Sequence, residues 1–200
     1  SLNESARITT VHTDRFGDIW LGTEGGPVFR GDRQLMLLEP HPVGLAQSGV
    51  KAIEKWADEM WIVGTTNDRR ISGITLMDEQ RGSARFFRSG IEITMGVDQV
   101  HTVVSVKGEW WFGTSEGIQT YGPDRDLWSS ISKEVPILDP PITHLEYDGM
   151  FVYVGHQRGL SRMKSDRSLS VPWSLPAMVG WWPIDALNWD GVNLWVSSDR

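Results

Sequence analysis

The chain has 200 residues, a net charge of −7 and no cysteine, so it holds no disulfide, thiolate metal site or cysteine nucleophile. The isoelectric point is near 5.2, and the basic residues are scattered apart from Arg69-Arg70 and the 85–88 segment, which argues against nucleic acid, whose phosphates need a basic stripe. No run of 18 apolar residues occurs, so no membrane-spanning helix is expected, and the mostly polar Ser1-Leu2-Asn3-Glu4-Ser5 carries no secretory signal.

Read in chain order, the first element is an aliphatic pair, Ile8 and Val11. A turn at Arg15-Phe16-Gly17-Asp18 follows, then the phrase Ile19-Trp20-Leu21-Gly22-Thr23, then Gly26 before Val28-Phe29, and a weaker apolar segment at 34–37. The same order returns with Val50 and Ile53, the turn Ala57-Asp58-Glu59, Met60-Trp61-Ile62-Val63-Gly64-Thr65, Gly73 before Ile74-Thr75-Leu76, and Arg85-Phe86-Phe87. The third copy has Val100 and Val103, Lys107-Gly108-Glu109, Trp110-Trp111-Phe112-Gly113-Thr114, Gly117 before Ile118, and Leu127-Trp128. The fourth has Ile142 and Leu145, Asp148-Gly149, Val152-Tyr153-Val154-Gly155-His156, Gly159 before Leu160, and Leu169-Ser170-Val171. The fifth has Ile184 and Leu187, Asp190-Gly191 and Leu194-Trp195-Val196-Ser197-Ser198, followed by Asp199-Arg200.

The anchors Trp20, Trp61, Trp111, Tyr153 and Trp195 are 41, 50, 42 and 42 residues apart, the mark of a repeat array. From the second aliphatic to the anchor there are 8 residues in four copies and 9 in the first, so the register is kept. Asp-Gly and similar turns between two apolar runs read as hairpins, because Gly accepts positive φ and Asp can bond its own backbone. Each unit therefore predicts four short strands, the outermost weakly patterned because outer strands are half exposed. Four strands per roughly 42 residues describe a β-propeller blade. A β-sandwich has no reason to repeat one aromatic-Gly phrase at this interval, and no segment shows the i, i+3, i+4, i+7 pattern of a helical solenoid.

The phrase aliphatic-x-x-aliphatic, a Gly or Asp turn, Leu-Trp-x-Gly-Thr and Gly-aliphatic resembles the two-component-regulator propeller repeat, most closely at Asp18 to Gly26 and Glu109 to Ile118. Copy four departs with Tyr153 and His156, and copy five lacks the Gly. The resemblance implies an extracytoplasmic sensor or secreted propeller, placing the chain in the periplasm or outside the cell, with Trp filling the gap between blades, Gly letting backbones approach and Thr satisfying a turn. The chain is more distantly similar to streptogramin-lyase and sialidase-type propellers, but the catalytic His and Glu of the lyases find no counterpart.

The expected fold is thus all-β: a single β-propeller segment over 1–200, with blades near 7–38, 50–88, 100–129 and 142–173 and a partial blade at 184–200. The last blade lacks its outer strands, and residues 1–7 supply at most one. The segment is expected to belong to a larger propeller, or to be completed by another chain, or to stand as an open arc whose edges pair with partners.

Function is expected on the face of the long crossovers (39–49, 89–99, 130–141, 174–183) and of the 66–72 insertion, since irregular loops on a rigid scaffold carry binding. Three groups there are the candidate ligand- or partner-binding residues. Trp181-Trp182 lies outside the anchor register, as contact aromatics or as packing between units. Arg69-Arg70 could fork a carboxylate or stay solvated. His41, between Pro40 and Pro42, is read as a rigid loop residue of which no chemistry is expected.

The carboxylates Glu54, Asp98, Glu146 and Asp185 sit near inner strands without forming one motif, and His12, His101, His144 and His156 share no register, so no catalytic residue, metal or cofactor is assigned. The reading is a non-catalytic recognition or assembly module that binds a protein, further blades or a small extracytoplasmic ligand. The alternative is a propeller glycoside hydrolase or lyase with carboxylates in its central funnel.

Overall fold

The computed structural model describes residues 8–13, 17–23, 28–32, 34, 38–41, 47–67, 70–78, 83–93, 99–131, 141–168, 170–172 and 182–198. They form five antiparallel sheets in chain order. Sheet one holds β1 (Ile8–Thr13), β2 (Ile19–Thr23), β3 (Val28–Gly31) and β4 (Leu38–His41). Sheet two holds β5 (Gly49–Trp56), β6 (Glu59–Thr65), β7 (Ile71–Asp78) and β8 (Ser83–Arg88). Sheet three holds β9 (Val100–Val106), β10 (Glu109–Thr114), β11 (Gly117–Gly122) and β12 (Leu127–Ser130), with a 3₁₀ turn at Pro123–Arg125. Sheet four holds β13 (Ile142–Tyr147), β14 (Phe151–His156), β15 (Gly159–Lys164) and β16 (Ser170–Pro172). Sheet five pairs β17 (Ala186–Trp189) with β18 (Leu194–Ser197). The chain is all-β, and each of the first four sheets is a meander of four strands in sequence order.

Two compact units divide the chain, residues 1–45 and 46–200. In the first, the carboxylate of Asp18 pairs with Arg30, whose guanidinium lies 5.6 Å over the Trp20 ring. One sequence expectation is corrected here: a strand covers Leu38–His41, so His41 is a strand residue opposite Val28 and not a loop residue, while residues 35–37 of the expected outer strand lie outside the described residues. The expected crossover 39–49 is shortened accordingly. Pro40 is tolerated because β4 is an edge strand, where a missing N–H breaks no ladder bond.

In the second unit, β5, β9, β13 and β17 lie side by side, so each sheet meets the next along its opening strand. Three apolar cores fill the joints. The first combines Trp61, Val63, Ile74 and Phe87 of sheet two with Val100, Val103, Trp110 and Phe112 of sheet three. The second sets Trp111 and Ile118 against Ile142, Leu145, Val152 and Val154. The third sets Tyr153 and Leu160 against Ile184 and Leu187. Strand alternation explains the division: the anchor faces the following sheet, while its chain neighbours face the preceding one.

The hairpins follow the turn chemistry. Lys107 and Gly108 both have positive φ, 50° and 84°, as a type I′ turn demands. In the fourth and fifth copies an aspartate does more. Asp148 Oδ1 accepts the Met150 and Phe151 N–H groups, each at 2.7 Å, while Oδ2 accepts the Tyr153 hydroxyl at 2.8 Å. Asp190 repeats this with Val192, Asn193 and, at 2.7 Å, the Trp195 indole N–H. The Trp61 and Trp111 hairpins have Trp56 and Val106 in that position, and both indole nitrogens are buried without an acceptor among the described residues.

Thr and Gly of the repeated phrase have defined tasks. Thr114 Oγ1 accepts the Glu116 N–H at 3.1 Å and donates to the Gly117 carbonyl at 2.8 Å, closing the turn into β11. His156 substitutes for it: Nδ1 accepts the Arg158 N–H at 3.2 Å, which places the ring proton on Nε2 facing Ser161 Oγ at 3.0 Å. A Cβ on Gly113 would come within 2.6 Å of Thr102 Cγ2 and 2.9 Å of Ile142 Cγ2, and one on Gly155 within 2.8 Å of Ile184 Cγ2. Sheet two carries Val63 at the equivalent register, opposite Ala52, in a core it shares with Val100. The side chain added at Val63 is matched by smaller neighbours on both sides.

Gly113→Ala is therefore expected to cost about 1–3 kcal/mol in urea unfolding, the range for overpacking a close-packed joint. Adding Ile142→Val and Thr102→Ala should recover part of that cost. A triple variant no more stable than Gly113→Ala would refute the volume match.

Candidate functional site

A cleft of about 910 Å³ opens at the hairpin ends of sheets two to four, wholly within the second unit. Its floor follows from register. Glu54 lies opposite Trp61, Val104 opposite Trp111 and Glu146 opposite Tyr153, so equivalent positions of three adjacent opening strands line one wall. Asp58 of the β5–β6 turn, Glu59 at the start of β6 and Asp78 at the end of β7 add three carboxylates, and Lys107 is the lone cation of the lining among the described residues. Trp56, 67 % exposed, and the half-buried Tyr147 give it aromatic surface.

Burial pushes the Glu54 carboxyl above its ordinary range. The Glu146 carboxyl is also raised, first by burial and further by repulsion from Glu54, while hydrogen bonds from the Tyr147 and Trp189 backbones pull against it. A raised carboxyl can hold a proton nearer neutrality, and the negative wall favours cationic groups over anions. Among the described residues no group of three or more His, Asp or Glu is arranged to hold a metal ion.

The cleft lies at the end of the strands opposite to the one favoured by loop length. Arg70 precedes Ile71, the first residue of β7, whereas Asp78 ends that strand in the cleft. Arg70 is exposed and Trp182 half-buried, both on the long-loop side, and the His41 backbone pairs with Val28 in the first unit. Arg69, Trp181 and Asp98 lie outside the described residues. Two of the four inner-strand carboxylates, Glu54 and Glu146, are brought to one cleft, while Asp185 is exposed, its N–H bonded to the Ser197 carbonyl. A signal for the cleft is present in the sequence: both glutamates stand four residues after the first aliphatic of their repeat, Val50 and Ile142.

The second distinctive surface is sheet five. Trp195 is 61 % exposed, whereas Trp61, Trp111 and Tyr153 at the same register are 0 %, 0 % and 4 % exposed. Leu194 and Val196 pack back onto the third core, so Trp195 and Ser197 point the other way. No third strand pairs with β18 among the described residues.

His101 and His144 sit on neighbouring opening strands with their pKa values lowered, each chiefly by burial, and His101 also by Lys51 and His144. In His144 a bond to the Ile184 backbone and the charge of Asp185 oppose the shift without reversing it. The unfolded chain takes up these protons near the ordinary value of 6.5 and the folded chain does so only lower, so their contribution is full above that pH and lost as pH falls through the window beneath it. The raised carboxyls of Glu54 and Glu146 act with the opposite sign, adding stability as pH falls through their folded values toward 4.5. Urea midpoints followed from pH 7.5 downward should therefore decline below about 6.5, and His101→Gln with His144→Gln should flatten that decline. An unchanged slope in the double variant would contradict the assignment.

No family model matches the chain, and no curated protein matches it. Solved structures share its fold. The extracellular domain of a hybrid two-component system from Bacteroides thetaiotaomicron superposes with a TM-score of 0.60 at 14 % identity, covering 99 % of this chain and 27 % of that one. The extracellular domain of a one-component system from the same organism gives 0.61 at 14 % identity, with 98 % and 31 % covered. PorZ, a surface component of the type-IX secretion system of Porphyromonas gingivalis, gives 0.56 at 12 % identity, with 95 % and 30 % covered. The chain spans less than a third of the length of each of these structures.

Proposed function

We propose that the chain is a segment of a β-propeller, about five blades with the last incomplete, acting as a non-catalytic recognition and assembly module of an extracytoplasmic sensor. The similarity to extracellular domains of signalling systems supports the compartment and the sensor setting, which put the module in the periplasm or outside the cell. The side-by-side opening strands support the radial arrangement.

One observation carries the recognition role: Trp195 is exposed yet fixed, its indole N–H held by Asp190 as the buried Tyr153 hydroxyl is held by Asp148. A rigid exposed Trp with its polar atom already satisfied offers large contact area at little ordering cost, as interface hot spots do. The β18 edge beside it offers unpaired backbone groups for strand addition. Arg69, Arg70, Trp181 and Trp182 belong, in this reading, to a second contact region on the long-loop face, open to a small ligand.

A photo-cross-linking residue at position 195 is expected to join protein in the native cell envelope, and one at the equally exposed Met150 is not. Equal yields at both positions, or fractionation of the chain with the cytosol, would defeat this reading.

The hydrolase or lyase reading draws on a different observation, the joining of Glu54 and Glu146 in one cleft with both carboxyls raised. It requires turnover of a polysaccharide by the chain, abolished in both Glu54→Gln and Glu146→Gln. Turnover that survives both substitutions, or is absent from the unmodified chain, removes it.

A further inference from the structure

The wall of the cleft reads carboxylate, aliphatic, carboxylate across three side-by-side strands: Glu54 on β5, Val104 on β9 and Glu146 on β13. The remaining carboxylates of the lining, Asp58, Glu59 and Asp78, belong to sheet two, and sheet three contributes none. Negative charge therefore stands on both sides of an apolar middle. Lys107 does not cancel it. That lysine is exposed at its hairpin tip with its charge felt by Asp166, and no cation among the described residues acts on either raised glutamate.

Trp56 supplies an independent observation. Five positions before the anchor, sheets four and five carry the aspartate that takes up the anchor's polar atom. In sheet two that place belongs to Trp56, and the indole N–H of Trp61, fully buried opposite Glu54, has no acceptor among the described residues. Sheet three has Val106 there, 2 % exposed, so the lost acceptor is answered by packing. Trp56 has no such return, being 67 % exposed in the lining of the cleft. A residue that breaks the rule of its own repeat without a gain in burial marks a functional position. Indole faces attract organic cations, and Tyr147 of sheet four, its hydroxyl donated to the Gly149 carbonyl at 2.6 Å, adds a second fixed ring.

We infer that the cleft binds a small organic dication, a diamine whose ammonium groups meet Glu54 and Glu146 while its methylene chain crosses Val104 and lies against the Trp56 ring. The site is separate from the Trp195 face and needs no turnover. Its volume of about 910 Å³ is that of a small-molecule site, and no group of three or more His, Asp or Glu among the described residues is arranged to take a metal ion instead. Burial raises both carboxyls, with repulsion from Glu54 adding to the effect at Glu146, and an ammonium at each relieves that penalty.

Isothermal titration calorimetry of the whole chain with diaminopentane and with pentylamine tests this. Diaminopentane should bind at least about tenfold more tightly, the scale of one charge-assisted hydrogen bond. Glu54→Gln and Glu146→Gln should each bring the diamine down to the level of the monoamine. Trp56→Asn should weaken both amines about threefold, the scale of an exposed cation–π contact, while raising the urea midpoint because asparagine supplies an acceptor beside Trp61. The three side chains are exposed or half-buried, and the midpoint reports that each variant is folded. Equal affinity for the two amines, displacement of diaminopentane by magnesium at constant ionic strength, or binding indifferent to all three substitutions overturns the dication site and leaves the Trp195 reading untouched. Binding of a lysyl-lysine peptide without binding of diaminopentane overturns the assignment to a small molecule.

Discussion

The contact on which the second unit depends is an aromatic ring pressed against the opening strand of the next sheet, with space reserved beside it two residues later. A four-stranded sheet of about forty residues has too little surface to bury on its own, and it gains stability only by sharing its faces with neighbours. Trp61, Trp111 and Tyr153 are buried in the cores of three successive joints, and Gly113 and Gly155 leave room there for the strands to approach. Such a joint is close-packed on both sides, so size changes on one strand have to be answered on the other. That accounts for valine at 63 with Ala52 and Val100, and for serine at 197 with Ala186.

The polar side of the same contact varies from copy to copy. An aspartate at the hairpin holds its own turn and the polar atom of the anchor together in copies four and five, which also pushes the Tyr153 hydroxyl up to about 12, burial acting first and Asp148 second. Copies two and three have Trp56 and Val106 in place of that acceptor, so the indole N–H groups of Trp61 and Trp111 are buried without a partner among the described residues, a loss of about 1–3 kcal/mol for a group so left, while Phe87, Trp110 and Phe112 pack around the Trp61 ring. Sheets two and three are further tied by Arg85, which reaches Asp126 at 3.0 Å while Tyr121 donates to the same carboxylate at 2.9 Å.

The two surfaces with functional character arise from the same geometry. Opening strands in register put Glu54 and Glu146 into one acidic cleft, and Trp195 of sheet five is exposed where Trp61, Trp111 and Tyr153 are buried. The first surface carries negative charge, the second an exposed aromatic ring. Neither depends on the long loops, where loop length and composition alone point to contacts through Arg69, Arg70, Trp181 and Trp182.

What the sequence determined by itself was the local order: aliphatic pair, turn, anchor, glycine and short outer strand, because strand alternation and turn chemistry are written within a few residues. It also carried the tasks of Asp148, Asp190 and Thr114, each bonding within five residues of itself. The strand at Leu38–His41 is not legible in the sequence, since an edge strand with two prolines nearby has almost no pattern to read. The cleft is only partly legible in the sequence: Glu54 and Glu146 share one offset from the first aliphatic of their repeats, but they are 92 residues apart in the chain and reach one cleft only when β5, β9 and β13 lie side by side. Whether Trp195 is a core residue or a surface is equally beyond the sequence, which gives it the same phrase as its buried counterparts. Burial belongs to the neighbouring sheet, and only the tertiary structure shows which neighbours are there.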